Sequence, residues 1–167
     1  EKIALVPEDR RQQGLFMVAG VNRNISMESF DRLKGRIFLN FKKERALTNE
    51  WRENLSIKYV NQSDPVDRLS GGNQQKTVLA KWLATDPDLL IVDEPTRGID
   101  VGTKAEVHKL IDKAAGEGKA ILMISAHWMQ PTISLTGAQN PDLIYDYQGF
   151  PSHTYDLQYP AKGDPIL

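Results

Sequence analysis

A chain of 167 residues, 40% apolar and 26% charged, with a formal net charge of −1, can bury one ordinary core and carries no charge excess that would call for nucleic acid or an anionic membrane. It contains no cysteine, which excludes internal disulfides and thiolate metal sites. No stretch approaches the ~18 consecutive apolar residues of a membrane span, and the opening EKIALVPEDRR lacks a signal-peptide core.

In chain order, Lys2 to Val6 is a short apolar run ending at Pro7, which predicts a strand that stops where proline removes a backbone donor. Glu8 to Gly14 reads as a loop. From about Phe30 to Tyr59 charge dominates, with scattered Leu, Ile, Phe and Trp, the pattern of short helices in a peripheral subdomain. Val78, Leu79, Trp82 and Leu83 recur at helical spacing, which predicts a helix from Gly71 to Leu83 behind Ser70. Leu89 to Val92 is unbroken apolar, as in strands buried on both faces, and ends at Asp93 and Glu94. Val107, Leu110, Ile111 and Ala114 predict an amphipathic helix that stops at Gly116-Glu117-Gly118. Ala120 to Ser125 is the next expected buried strand.

Strand, helix, strand in this order predicts a right-handed parallel crossover, so the fold class is α/β with a partial parallel sheet and a small helical subdomain at about 15–85. After Trp128 the composition shifts. Five of the nine prolines and four of the five tyrosines fall in the last forty residues. The expected boundary lies near Ser125, with residues 126–167 forming an irregular Pro/Tyr-rich tail.

Two motifs carry chemistry. Leu69-Ser70-Gly71-Gly72-Asn73-Gln74-Gln75-Lys76 sets a hydroxyl and glycine amides at a helix start, an anion site reinforced by the helix dipole. Leu89 to Pro95 places Asp93 and Glu94 at the exit of a buried strand, where ligand crevices form in open α/β sheets. Together they resemble the signature motif and Walker B strand of ATP-binding cassette proteins, which accounts for the P-loop NTPase-type sheet. The NQQK ending and Pro95-Thr96-Arg97-Gly98-Ile99-Asp100 are similar to the carbohydrate-importer branch, and Pro7-Glu8-Asp9-Arg10 to its second cassette.

The resemblance implies ATP and Mg²⁺ as cofactors. Ser70, Gly71, Gly72 and Gln74 would lie on the surface that grips a γ-phosphate bound by an opposing cassette. Asp93 would hold Mg²⁺ through water, and Glu94 would be the general base for the attacking water. Asp100 falls at the D-loop position between cassettes, although Asp there is also an ordinary helix N-cap. The implied partners are a second nucleotide-binding cassette and the membrane permease subunit of a sugar importer, with no nucleic acid. The implied localisation is cytoplasmic, peripheral to the inner membrane through that permease. The transported sugar is not read from a cassette.

Three positions depart from that family. No G-x-x-x-x-G-K-[ST] phosphate loop occurs: near Gly118-Lys119 the leading glycine position holds Lys113, and Ala120 replaces the hydroxyl. The chain is therefore not expected to hydrolyse ATP alone. Glu8 stands where a γ-phosphate-sensing glutamine is usual, and its charge would repel phosphate unless Mg²⁺ or Arg10 offsets it. Ala126 stands at the switch-histidine position, with His127 one residue late.

From there Ile124-Ser125-Ala126-His127-Trp128, with Ile144 to Pro151 and Tyr159 to Pro165, resembles a piece of the extradiol ring-cleavage dioxygenase family of DOPA type. The chain then reads as a chimera joined at a strand end. That likeness makes His127 a ligand of Fe²⁺ or Zn²⁺, where such a centre needs about three protein ligands. A fragment of a metal-dependent dioxygenase is therefore the alternative function, and a non-catalytic fragment that self-associates through open sheet edges is a third.

Overall fold

The computed structural model describes residues 2–35, 39–125, 132, 134, 137–142 and 151–156. Contacts divide the chain into two compact units, Glu1–Ala126 and His127–Leu167. In the second, the described residues include a 3₁₀ turn at Ser152–Asp156 and a bond from the Ser134 hydroxyl to the Thr132 carbonyl, 3.1 Å long.

The first unit is α/β. Strands β1 (Ile3–Val6), β2 (Leu89–Asp93) and β3 (Ala120–Ile124) form a parallel sheet in the order β1-β2-β3, with Ile3 opposite Leu89 and Leu89 opposite Ala120. Between β1 and β2 lie α1 (Val21–Ser26), α2 (Phe30–Leu33), α3 (Phe41–Asn54) and α4 (Gly71–Leu83); α5 (Val101–Gly116) makes the crossover to β3. Gly118, at φ +89, lets the chain reverse into β3.

One face of the sheet is covered. Ala4, Val6, Leu90 and Val92 are buried with Val78 and Leu79 of α4 and Val107, Ile111 and Ala114 of α5 in a single apolar core. The opposite face is open: Ile3 is 64% exposed and Leu5 47%, and Leu89 and Ile91 are half-buried. This corrects the expectation of strands buried on both faces. An unbroken apolar run specifies a strand but not how many layers cover it, and on β3 Met123 and Ile124 are likewise exposed, at 45% and 44%.

Helix α4 is the spine of the unit, buried along most of its length despite its polar residues. Its buried lysines are tethered at both ends. The Lys76 ammonium pairs with Glu106 of α5 at 2.6 Å and donates to the Ser56 carbonyl at 3.4 Å. Lys81 pairs with Glu28 at 3.3 Å and donates to the Gly14 carbonyl, also at 3.3 Å. Such pairing is what makes a buried ammonium tolerable.

Two local features differ from the sequence expectation. Arg10–Gly14 is a single π-helical turn rather than a loop, started by Asp9, whose side chain accepts from the amides of Arg11 and Gln12. Helix α1, which no apolar period announced, rests on Asn24. That buried side chain accepts from the Phe16 amide at 2.8 Å and donates to the carbonyls of Phe16, Ala19 and Gly20 at 3.1, 3.3 and 3.1 Å. Every polar group of the amide is used, and the 16–20 loop is folded around it.

Candidate functional site

The start of α4 lies against the loop and helix start that follow β2: a β-carbon on Gly71 would lie 3.4 Å from the Gly98 carbonyl oxygen, and one on Gly72 would run into Thr103. Ser70 is the N-cap of α4, with extended φ −60 and ψ 156. Its oxygen accepts from the Asn73 amide at 3.4 Å and from the Asn73 side chain at 2.9 Å. Asn73 in turn accepts from the Lys58 amide at 2.8 Å, so the cap is braced from the loop before it. The first amides of the helix, at Gly71 and Gly72, have no intrahelical acceptor, and the helix dipole adds partial positive charge there.

Gln74 is fully buried. Its amide donates to the carbonyls of Val66 and Leu69 at 3.3 and 3.1 Å, which fixes the approach to Ser70. The side chain acts within the protein; it does not project to solvent.

At the other end, Asp93 closes β2 opposite Ile124, and the next residue, Glu94, leaves the strand at φ 42. A non-glycine residue in that left-handed region is strained. The Glu94 amide donates to the Ile124 carbonyl at 3.1 Å, and its carboxylate accepts from the Ser125 hydroxyl at 2.9 Å. Both carboxylates are half-buried, so each is within reach of solvent or a ligand.

Asp100 is the N-cap of α5: its carboxylate accepts from the Thr103 amide at 2.9 Å and the Thr103 hydroxyl at 2.7 Å. Those two bonds hold its pKa below the usual aspartate range. The same Thr103 packs on Gly72, which ties the α5 cap to the α4 start.

Glu8 forms an ion pair with Arg97. The cation offsetting its charge is therefore Arg97, not Arg10. The Arg10 guanidinium is turned elsewhere: Nε donates to Gln74 Oε1 at 3.4 Å, Nη1 to the Arg97 carbonyl at 3.0 Å and Nη2 to the Gly98 carbonyl at 3.3 Å. Burial, with neighbouring Arg11, lowers the Arg10 pKa, from so high a starting point that the group keeps its charge. Thr103 is the site residue that sequence reasoning missed, and Arg10, considered in sequence only as a counter-charge to Glu8, instead bridges Gln74 and the loop after β2.

Structure thus links Glu8, Asp100 and the glycines of the 70–72 motif in one contact network through Arg97, Arg10 and Thr103, with Gln74 buried beneath it, and Asp93-Glu94 joins it through the Arg97 amide, which donates to the Glu94 carbonyl at 3.1 Å. Ala126 and His127 lie outside the described residues. Among the described residues no group of three or more His, Cys, Asp or Glu side chains is placed to hold a metal ion, and no helix is long and apolar enough to cross a membrane.

The family described as ABC transporter matches residues 1–97. The ribose import ATP-binding protein RbsA of Rhodococcus jostii (strain RHA1) is 56% identical over 124 residues, 74% of this chain and 25% of that protein. A putative ribose/galactose/methyl galactoside import ATP-binding protein 1 of Rhizobium etli is 47% identical over 124 residues, covering 74% of this chain and 24% of that protein. This chain therefore spans a quarter or less of the length of these relatives.

Among solved structures, the dimeric post-hydrolysis state of the ATP-binding cassette MJ0796 bound to ADP and Pi superimposes with a TM-score of 0.63 at 21% identity, covering 75% of this chain and 53% of that one. The Clostridium perfringens cbiO1 structure, part of the ABC transporter complex cbiONQ, gives 0.57 at 25% identity, covering 73% and 46%. Both show the fold.

Proposed function

We propose, for a chain that belongs to the ABC transporter family, that the α4 start and the exit of β2 form one side of a composite ATP site in a sugar importer of the ribose type. A second cassette would supply the phosphate-binding loop. The observation that carries this reading is the contact of Gly72 with Thr103 and, through it, with Asp100: the anion-binding helix start and the loop leaving the β2 carboxylates are parts of one surface.

The residues present fit the group. The Ser70 hydroxyl and the amides of Gly71 and Gly72 suit a terminal phosphate. Asp93 suits a water-mediated contact to Mg²⁺, an ion that keeps several waters and takes much of its shell from phosphate oxygens, so one carboxylate here is enough. Glu94 would accept the proton of the attacking water. Bound Mg²⁺ and ATP would supply the electrophilic phosphorus. With no phosphate loop among its 167 residues, the chain would not hydrolyse ATP by itself.

The partners under this reading are an intact cassette and a membrane permease subunit, which would place the chain on the cytoplasmic face of the membrane. Residues 1–125 would form the cassette part, with a helical subdomain at about 15–85, and 126–167 a separate tail. The names of the relatives support ribose as the transported sugar.

The test is binding of a fluorescent ATP analogue with Mg²⁺, to the chain alone and to the chain mixed with an intact first cassette of a ribose importer. Binding that rises only in the mixture and falls with Ser70→Arg is expected. No binding beyond that of the partner cassette overturns the reading.

A second reading rests on Ser125-Ala126-His127-Trp128 and the aromatic tail: residues 120–167 as a dioxygenase-like segment in which His127 binds Fe²⁺ or Zn²⁺. Metal analysis of untagged protein decides it. Close to one equivalent that disappears in His127→Ala supports it, and metal below a tenth of an equivalent removes it.

A further inference from the structure

We propose that Arg10 is a positioning residue that locks the start of α4 to the loop following β2, so that the phosphate-gripping amides and Asp100 are presented at a fixed separation. Its consequence for nucleotide rests on the composite-site reading; the lock itself does not. Three elements distant in sequence meet at one guanidinium, through Gln74 on α4 and the carbonyls of Arg97 and Gly98.

The surroundings are shaped to admit it. A β-carbon on Gly71 would lie 3.0 Å from Arg10 Nη2 and 3.4 Å from the Gly98 carbonyl oxygen, and one on Gly98 would lie 3.6 Å from Nη1. The glycine at position 71 therefore gives the guanidinium its place as well as baring an amide. Gly98, at φ +65, turns the chain so that its carbonyl and that of Arg97 both accept from one fork.

Arginine suits this task and lysine does not. The planar fork offers its donors in a fixed spread, matched here to three acceptors, whereas an ammonium is a point charge on a flexible stem. The Glu8–Arg97 ion pair adds a second tie between the 8–10 segment and the loop following β2. A ligand or partner that drew Glu8 away would act on the segment that Arg10 also holds, which makes the 8–10 turn a lever on the separation of Ser70 and Asp100.

The decisive experiment is hydrogen–deuterium exchange on the whole chain, unmodified and as Arg10→Lys and Arg10→Met. In the variants, exchange in peptides covering 70–75 and 96–100 is expected to accelerate about tenfold. Strands β1, β2 and β3 should keep their protection and Tm should stay within about 3 °C. Unchanged exchange in both segments overturns the proposal.

Should the variants fail to fold, the unmodified chain still decides. The Arg10 Nε–H should give a nitrogen-15 NMR resonance that exchanges slowly at pH 7, and exchange at the rate of a solvated arginine overturns the lock. In the mixture with an intact cassette, Arg10→Lys should weaken binding of the ATP analogue about tenfold with Tm held. Unweakened binding beside accelerated exchange removes the functional half. If the unmodified chain binds no analogue in the mixture, the composite-site reading falls, and exchange still decides the role of Arg10.

Discussion

The Thr103 methyl stands where a β-carbon on Gly72 would have to go: such an atom would lie 2.6 Å from Thr103 Cγ2 and 2.7 Å from Thr103 Oγ1. The starts of α4 and α5 are therefore in contact because position 72 has no side chain. Gly72→Ala should force them apart and cost about 1–3 kcal/mol, the range for overpacking a fitted contact. Gly72→Ala with Thr103→Ala should recover part of that loss in urea unfolding, since residues in contact do not add independently. Equal losses in single and double variants would show that the contact is not what limits position 72.

Glu94 holds its left-handed conformation against the preference of its own side chain. Glu94→Gly should leave stability within about 1 kcal/mol, because relief of strain offsets the entropy that glycine adds to the unfolded chain. Glu94→Val should be clearly worse than either, as a β-branched residue tolerates positive φ least. Urea midpoints of the three proteins test the order.

Asn24 satisfies four backbone groups of the 16–20 loop. Asn24→Ala leaves the Phe16 amide without its acceptor and takes a second donor from three carbonyls that keep a backbone partner, and should cost about 1–3 kcal/mol. Asn24→Asp should be the more damaging change, because it sets a carboxylate against three carbonyl oxygens where an amide donated. A stability order with Asp above Ala would overturn this account of the loop.

Acid should destabilise the first unit through carboxylates that the fold holds deprotonated. Asp86 is held below its ordinary range by Lys119, Glu106 by Lys76 and Asp100 by Thr103. In each case the folded group gives up its proton more readily than the unfolded one. The stabilisation is therefore complete above the unfolded values, ordinarily 4.5 for Glu106 and 3.8 for the two aspartates, and is lost as pH falls through the lower folded values. Tm should be level from neutral pH to about pH 5 and fall below it. Lys76→Met should flatten the part of that slope owed to Glu106.

Residue pattern alone determined the α/β class, the span of α4 and the two carboxylates at the exit of β2. These depend on local chemistry: helical spacing, a capping serine, an apolar run closed by two acids. Position 8 and its neighbours were decided by the tertiary structure. Nothing local says that Glu8 meets Arg97 while Arg10 reaches Gln74 and two carbonyls, because those partners lie more than sixty residues away along the chain and meet only once β1 and β2 pair. The open face of the sheet was likewise invisible in sequence. Leu5 and Val6 are both apolar, yet Val6 is fully buried and Leu5 is 47% exposed, since successive residues of a strand point to opposite faces and the helices cover only one.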